Sequence, residues 1–201
     1  MATMGRPRQF DRNAAVITAM HLFWEHGYES TSLSQLKAGL GISAPSFYAA
    51  FTSKEALFQE AVTCYLASHG RVTECLWDAD LAPREAVELA LRRSAAMQCE
   101  AGHPKGCMVS LGVMSASGAG NAAVTAGLSA SRARTRAGIL ACVERGIANG
   151  QLASATDPLA LATVFDSFLN GLSTLARDGA THEALDTAVS QVMRLWDAAS
   201  R

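Results

Sequence analysis

Side chains able to bind an anion are concentrated in one short stretch, residues 27–57. Serine and threonine hydroxyls stand where helices are expected to begin, and Lys54 lies at another such start. Helix starts carry free backbone N–H groups and partial positive charge, so they favour a phosphate. Two short helices joined by a glycine turn also form the arrangement that inserts a helix into the DNA major groove. The stretch therefore predicts contact with nucleic acid.

The elements that position these side chains follow from capping residues and apolar spacing. Asp11 predicts the start of a first helix, and Gly27 ends it shortly after residue 25. A turn at Gly39 and Gly41 separates the next two helices, because glycine tolerates positive φ. The later helix starts are predicted at Ser32 with Gln35, at Ser43, and at Thr52 with Glu55.

The rest of the chain repeats the helical pattern without strand alternation. Helices are expected at about 84–101, 106–116, 121–149, 158–177 and 182–199. The last two carry long one-sided apolar stripes and are separated by a tight turn, which predicts a helical hairpin. The fold class is therefore all-α. An unpaired apolar stripe would face water, so the hairpin is expected to pair with a second copy of the chain.

Composition bounds the class of protein. Apolar residues make up 49% of the 201 residues and the net charge is −1. Residues 1–60 carry five basic and five acidic side chains, so DNA affinity must come from the placement of charge. No uninterrupted apolar run approaches the roughly 18 residues of a membrane span, and residues 1–11 lack the apolar centre of a secretory signal. These features predict a cytoplasmic protein with no membrane partner.

Motifs for catalysis or metal binding are missing from the sequence. The five cysteines lack Cys-x-x-Cys spacing, and the five histidines share no metal-ligand spacing. There is no Gly-x-Ser-x-Gly elbow, P-loop or Gly-x-Gly-x-x-Gly motif. We therefore expect no enzyme activity, no cofactor and no metal.

Residues 27–57 resemble the TetR/AcrR family of bacterial transcriptional regulators. The resemblance rests on several elements in order: Gly27-Tyr28, Thr31-Ser32, Gly41-Ile42-Ser43, Ser46-Phe47-Tyr48, Phe51 and the run Ser53-Lys54-Glu55-Ala56-Leu57, with Gly-Arg-Pro-Arg at 5–8. It implies a three-helix helix-turn-helix domain at 1–52. A larger helical ligand-binding and dimerisation domain would follow at 53–201, with about nine helices.

The resemblance also implies a set of DNA contacts. Thr31, Ser32, Tyr48 and Lys54 would contact phosphates, whereas the third helix would read the bases. That helix offers few bidentate hydrogen-bonding side chains, so base reading would depend on serine hydroxyls, contacts with thymine methyl groups and DNA shape. The implied DNA-binding set is Arg6, Arg8, Thr31, Ser32, Ser43, Ala44, Pro45, Ser46, Tyr48 and Lys54.

In that family the larger domain encloses a small-molecule pocket, and ligand binding releases an inverted-repeat operator from the homodimer. Methionine-rich and aromatic positions favour a mostly apolar or aromatic effector here, with plain core packing as the alternative. The predicted lining residues are Met97, Met108, Leu111, Met114, Phe165, Phe168 and Leu169. The leading hypothesis is a ligand-released homodimeric repressor that dimerises through its last two helices.

Cys107 supports a second hypothesis. It follows Lys105 and Gly106 at a predicted helix start, near His103. Positive charge and a helix start favour the reactive thiolate, so Cys107 could act as a redox or electrophile sensor with Cys99 as a partner. A small buried residue that packs a helix start is the alternative. In a third hypothesis, the helix-turn-helix domain at 1–52, which we call the head, is carried by a helical enzyme or adaptor.

Overall fold

The computed structural model describes residues 10–115 and 122–200, which form nine α-helices, one 3₁₀ helix and no strand. The helices are α1 Arg12–His26, α2 Leu33–Leu40, α3 Ala44–Phe51, α4 Lys54–Ala67, α5 Pro83–Cys99, α6 Met108–Ser115, α7 Ala122–Ala148, α8 Pro158–Arg177 and α9 His182–Ala199. The 3₁₀ helix, His69–Trp77, lies between α4 and α5. The all-α prediction is confirmed, although sequence periodicity did not reveal the 3₁₀ helix.

Side-chain caps explain where most of the short N-terminal helices begin. The Asp11 carboxylate accepts from the first-turn amides of α1, and Ser32 forms the predicted capping box with Gln35. The predicted start at Thr52 is corrected by the structure. Ser53 caps α4, because its hydroxyl accepts from the Ala56 amide at 3.0 Å. Thr52 instead takes φ 63° and makes the turn between α3 and α4.

The first buried cluster joins the N-terminal helices to part of the larger region. Aromatic side chains fill it, with Phe23, Phe47 and Phe58 each at most 1% exposed. The same cluster includes Met97 of α5 and Met108 of α6. The domain boundary predicted between residues 52 and 53 therefore falls inside a continuous buried cluster, and the boundary itself stays a prediction.

The second cluster lies among α5, α7, α8 and α9. Phe165 and Trp196 are buried there among aliphatic side chains. Over its most apolar 18 residues α8 has a mean hydropathy of 1.3, which would suffice in length and composition for a membrane span. One face of α8 instead packs into this cluster through Phe165, Leu169 and Leu172. Only 33% of that apolar window is buried, so much of the helix faces outward.

The loop between α5 and α6 is held tightly against α8. Gly106 has φ +81°, and a Cβ added there would come within 2.8 Å of the Ser173 carbonyl oxygen. Only glycine combines that backbone conformation with so close an approach. The loop thus brings Cys107 to the start of α6 at a fixed position relative to α8.

Candidate nucleic-acid interface and effector cavity

The second and third helices form a compact helix-turn-helix. Each has eight residues, and Gly41 turns between them with φ 64° and ψ 33°. Ser43 caps α3 by accepting from the Ser46 amide at 3.3 Å, and the two serine hydroxyls lie 2.9 Å apart. The start of α3 therefore carries two exposed hydroxyls next to free helix amides, which suits an anion or a base edge.

One face of α3 is buried and the other is open to solvent. Phe47 and Phe51 are buried in the aromatic cluster, whereas Pro45, Ser46 and Tyr48 are exposed. Tyr48 is 52% exposed, so its ring is available for contact outside the protein. The open face is the side that could enter a groove, and Ala44 lies partly buried at its edge.

Thr31 has a different role from the predicted phosphate contact. Its side chain is fully buried, and its hydroxyl donates to the Gly27 carbonyl at 2.6 Å and lies 3.3 Å from the Leu22 carbonyl. These bonds fix the chain between α1 and α2 and leave no hydroxyl for a ligand. Ser32 remains exposed, but its hydroxyl already accepts from the Gln35 amide at 3.1 Å.

Lys54 lies at the start of α4 with its Nζ 4.4 Å from the centre of the Tyr28 ring. Burial lowers the pKa of Lys54, and the Glu29 carboxylate partly offsets that effect. This cation–π contact attracts the ammonium to the Tyr28 ring, next to the start of the helix-turn-helix. Arg6 and Arg8, the other predicted cations, lie outside the described residues.

A small cavity lies in the larger region between α4, α5, α6, α7 and α8. Its volume is about 50 Å³. Met97 and Leu169, two of the predicted lining residues, border it. The lining also contains polar side chains that sequence reasoning did not select, among them Ser94, Gln98, Ser110, Arg132, Asp166 and Asn170. Their helical spacing looks like that of ordinary surface residues, so no sequence signal singled them out.

The other predicted lining residues do not meet at this cavity. Met108 and Phe165 are buried in the two separate clusters, and Phe168 packs against the second. Leu111 and Met114 line a shallow depression beside Trp24. The physical reason is the orientation of α6, which presents Val109 and Ser110 to the cavity instead. Two of the seven predicted lining residues therefore border this cavity, and the other five lie elsewhere.

Cys107 borders the cavity and contacts α4. The Tyr65 hydroxyl donates to its Sγ at 3.2 Å, and burial raises the pKa of Tyr65 well above its usual value. Lys105 does not face the thiol, because its Nζ donates to the carbonyls of Cys99 and Glu100. The Cys99 Sγ points to the Ala180 carbonyl, 3.6 Å away, and burial raises its pKa.

Arg177 at the end of α8 connects three parts of the molecule. Its guanidinium donates to the carbonyls of Trp24 at 3.0 Å and Glu25 at 2.9 Å, and its Nε donates to Lys105 O at 3.0 Å. The first two acceptors belong to the last turn of α1, and the third lies two residues before Cys107 in the loop between α5 and α6. The indole of Trp24 also stacks on His103 with ring centres 4.6 Å apart. The cavity wall, α8 and the N-terminal head thus share one contact network.

Comparison with protein families gives two matches along the chain. Residues 17–61 match the family described as "Bacterial regulatory proteins, tetR family". Residues 86–192 match "Tetracyclin repressor-like, C-terminal domain". The HTH-type transcriptional repressor ComR of Escherichia coli (strain K12) is 33% identical over 201 residues, covering 96% of this chain and 91% of that protein.

Solved structures give the same result for the fold. A cysteine mutant of the TetR family regulator CifR, complexed with 26-bp double-strand operator DNA, is 40% identical with a TM-score of 0.83. The match covers 96% of this chain and 100% of that one. The reduced form of Escherichia coli NemR has a TM-score of 0.69 at 23% identity, covering 90% and 94%, which establishes a shared fold.

Proposed function

This chain belongs to the TetR family of bacterial transcriptional regulators, and on that premise we propose that it is a homodimeric repressor released from an inverted-repeat operator by a small effector. It is a DNA-binding regulator, and enzyme chemistry forms no part of the proposal. The observation that carries it is the open face of α3, which presents capped helix amides, two serine hydroxyls and the exposed Tyr48. The operator complex of CifR supports the same use of this face here.

The contacts divide by chemistry. Tyr48, Lys54 and the N-terminal ends of α2 and α3 bind phosphates and fix the register of α3 in the major groove. Ser43 and Ser46 reach base edges, while Ala44 and Pro45 offer only apolar contact, suited to a thymine methyl group. Arg6 and Arg8 enter the proposal as cations of an N-terminal arm. Because few bidentate donors face the bases, DNA shape contributes to sequence preference.

The dimer forms through α8 and α9. Val164, Phe168, Gly171 and Leu175 follow one another along α8 at helical spacing, and Val164 and Leu175 are 43% and 49% exposed. On α9, Leu195 is 46% exposed. Pairing these faces with those of a second copy removes the apolar surface from water and places two heads on one two-fold axis. Two symmetric heads require two symmetric half-sites.

Effector binding is transmitted through the loop between α5 and α6. A molecule in the cavity contacts the wall formed by Cys107, Val109 and Ser110, and Arg177 joins that wall to the end of α1. A small displacement of this loop or of α8 therefore changes the position of the head relative to the dimer interface. Cytoplasmic location follows for a regulator that acts on DNA.

A binding experiment tests the DNA contacts. The DNA upstream of the gene for this protein is titrated at several salt concentrations with the wild type, Lys54→Gln and the control Arg71→Gln. Arg71 is an exposed cation paired with Glu74 in the larger region. Lys54→Gln should weaken binding and reduce the salt slope by about one phosphate contact, whereas Arg71→Gln should not. Equal slopes for all three proteins would remove Lys54 from the interface.

Sedimentation tests the assembly. The wild type should be a dimer at micromolar concentration, and Leu175→Glu should give monomers because it places a charge in the proposed interface. Thr174→Glu, at the neighbouring exposed position, is the control for a charge on the same turn of α8. A monomeric wild type would overturn both the dimer and the inverted-repeat operator.

Thiol sensing is the second candidate, because the Cys107 Sγ borders the cavity beside the Tyr65 hydroxyl. With iodoacetamide a C–S bond forms, iodide leaves and the thiol proton passes to the buffer. Alkylation at Cys107 should release DNA from the wild type and leave Cys107→Ser bound. Modification of Cys107 without release of DNA would overturn thiol sensing and leave the non-covalent effector as the signal.

A further inference from the structure

The cavity between α4, α5, α6, α7 and α8 is lined by two residues that each have a buried polar atom without a partner in the described chain. Gln98, on α5, is 1% exposed, and its side-chain Oε1 accepts no hydrogen bond. Arg132, on α7, has a buried Nε without an acceptor. Both residues line the same cavity. An unpaired buried polar atom costs free energy, so a molecule that pairs with both atoms would gain from binding here.

Three other polar side chains of the lining are bonded to one another. The Ser110 hydroxyl donates to Asn170 Oδ1 at 3.0 Å, and Asn170 Nδ2 lies 3.3 Å from the Asp166 carboxylate. That carboxylate also accepts from Arg136 Nε at 3.1 Å. Among the described lining residues, the buried polar atoms that lack a partner are therefore those of Gln98 and Arg132.

The charges of the lining favour a neutral occupant. Arg132 brings a positive charge to the cavity, and Asp166 brings a negative one. A ligand of either sign would therefore meet a like charge in the same small space, which disfavours its ionised form. A charged ligand would also lose more hydration on entry than a neutral one.

The two unpaired atoms need opposite partners. Gln98 Oε1 accepts hydrogen bonds and cannot donate, whereas Arg132 Nε donates and cannot accept. A hydroxyl group serves both, because it donates its proton and accepts at the lone pairs of the same oxygen. A carboxylate has no proton to donate, an ammonium cannot accept, and a primary amide brings a second N–H that would need a further acceptor. A hydroxyl is therefore the group that matches this pair of atoms.

The apolar part of the lining favours an alcohol over water alone. Met97, Val109 and Leu169 supply apolar surface. Water would pair with the two polar atoms but leave that surface hydrated, whereas a short hydrocarbon chain would cover it. A water needs roughly 10–15 Å³ of such space, so a cavity of about 50 Å³ admits a molecule of on the order of four heavy atoms.

We propose that the effector is a small neutral alcohol whose hydroxyl donates to Gln98 Oε1 and accepts from Arg132 Nε, an inference that rests on the proposed effector-controlled regulation. Its hydrocarbon chain contacts Met97 and Leu169. The effector thus keeps the mostly apolar character expected from the sequence and carries one hydroxyl. Because Gln98 belongs to α5 and Arg132 to α7, the bound hydroxyl joins two helices of the larger region.

Nuclear magnetic resonance titration of the full-length protein with small probes of equal heavy-atom count tests the ligand class. 1-Propanol donates and accepts, acetone only accepts, acetate is an anion and propylammonium is a cation. 1-Propanol should shift the Met97 methyl signal saturably and bind at least about fivefold more tightly than the other probes. The methyl of Met193, buried in the second cluster, should not shift. Equal binding of any other probe, or no saturable binding of 1-propanol, would overturn the proposal.

The ratio of two affinities isolates the hydrogen bond to Gln98. Gln98→Leu removes the acceptor, so the preference for 1-propanol over acetone should fall from at least about fivefold to less than about twofold. A change in packing alone would weaken both probes alike and leave the ratio unchanged. Gln98→Met, which is unbranched like glutamine, repeats the measurement should Gln98→Leu fail to fold. An unchanged preference in either folded variant would overturn the contact with Gln98.

Two arginines on α7 provide a matched pair for the donor. Arg132→Met should weaken both 1-propanol and acetone at least about fivefold, because both probes accept from Nε. Arg134→Met should leave both affinities unchanged, since the Arg134 guanidinium lies over the Trp77 ring, 4.7 Å from its centre, and does not line the cavity. Wild-type affinity for both probes in a folded Arg132→Met protein would overturn the contact with Arg132.

Operator binding separates this inference from the proposed function. 1-Propanol at a concentration that saturates the wild type should weaken DNA binding by the wild type more than by Gln98→Leu. Binding of 1-propanol without any change in DNA affinity would uphold the ligand class and overturn ligand release. DNA affinity that responds to other molecules but never to 1-propanol would overturn the ligand class and uphold the regulator.

Discussion

Two buried polar side chains, Thr31 in the head and Gln98 in the larger region, are treated in opposite ways by the fold. The Thr31 hydroxyl donates to the Gly27 carbonyl at 2.6 Å, and its side chain is fully buried. Gln98 is buried to the same degree, yet its Oε1 has no partner within residues 10–115 and 122–200. The backbone around Thr31 therefore satisfies its hydroxyl, whereas the cavity wall leaves the Gln98 oxygen without a donor from the described residues.

The difference reflects what each region binds. DNA brings its own hydration and charge, so a rigid surface that holds α3 in one orientation is enough to bind it. A small effector has few atoms, so each hydrogen bond it makes must be one that the empty protein lacks. Under the proposed regulation, a ligand that donates a hydrogen bond to Gln98 Oε1 would recover the cost of leaving that oxygen unpaired, and its binding would stabilise the cavity wall.

The largest effect should come from the aromatic cluster beneath α3. Phe47→Ala should lower the free energy of unfolding by about 3–5 kcal/mol, because it leaves a cavity under the helix. Tyr48→Ala, at the exposed neighbouring position, should change stability by less than about 0.5 kcal/mol while weakening DNA binding. Urea unfolding measures the stability of both variants, and DNA titration measures their affinity for DNA. A stability loss at Tyr48 as large as at Phe47 would contradict the two-faced description of α3.

A smaller loss is expected at the satisfied hydroxyl of the head. Thr31→Val keeps the shape of the side chain and removes its hydrogen bonds, so the protein should lose about 1–2 kcal/mol. Ser30→Ala, at the exposed preceding position, is the control for local changes in this loop. Urea unfolding at neutral pH measures both. A Thr31→Val protein as stable as the wild type would show that the Thr31 hydrogen bonds do not stabilise the fold, and Thr31 would then not differ from Gln98.

Replacing Gln98 at the cavity should have almost no effect on the free energy of unfolding. Gln98→Leu removes a buried side-chain oxygen that has no partner within the described residues, so the stability of the unliganded protein should be unchanged or rise by about 1 kcal/mol. Ser173 has a buried hydroxyl without a partner in the described chain but is not a lining residue, so Ser173→Ala is a useful second variant. A clear loss of stability in Gln98→Leu would mean that the amide is bonded in solution.

The smallest effect concerns pH and the contact between head and larger region. The pKa of His69 is lowered from 6.5, first by burial and then by the charges of His103 and His21, while Glu100 opposes the change. The unfolded chain therefore binds the proton more readily, so His69 contributes stability above about pH 6.5 that is lost as the pH falls toward its folded pKa.

A matched variant isolates that contribution. The urea midpoint of the wild type should fall between about pH 7.5 and pH 5.5, and His69→Gln should reduce the fall, because it removes the titrating ring. His182→Gln, at the exposed start of α9, should leave the fall unchanged. Identical pH profiles for the wild type and His69→Gln would show that other groups set the acid sensitivity.

The sequence predicts the head more fully than the cavity, for a physical reason. Caps such as Ser32 and Ser43 act on amides within three residues, so local spacing identifies them. The cavity depends on helices far apart in the chain that bring lining residues such as Gln98 on α5 and Arg132 on α7 to one place, and no local pattern encodes that arrangement. Met108 and Phe165 were predicted lining residues because they are apolar, and the structure buries both in the cores instead.

The continuous aromatic cluster also bears on how regulators of this kind could be recombined in sensor design. Phe23 and Phe58 share their buried surroundings with Met97, Met108 and Val124, which belong to three helices of the larger region. Phe58 lies beyond residue 53, so a hybrid joined between residues 52 and 53 would place foreign side chains against Phe23 and leave mismatched volumes in a close-packed core. A head that is moved into another regulator must therefore keep these three side chains with it. They lie far from the head in the chain, so a single cut cannot transfer them together with it.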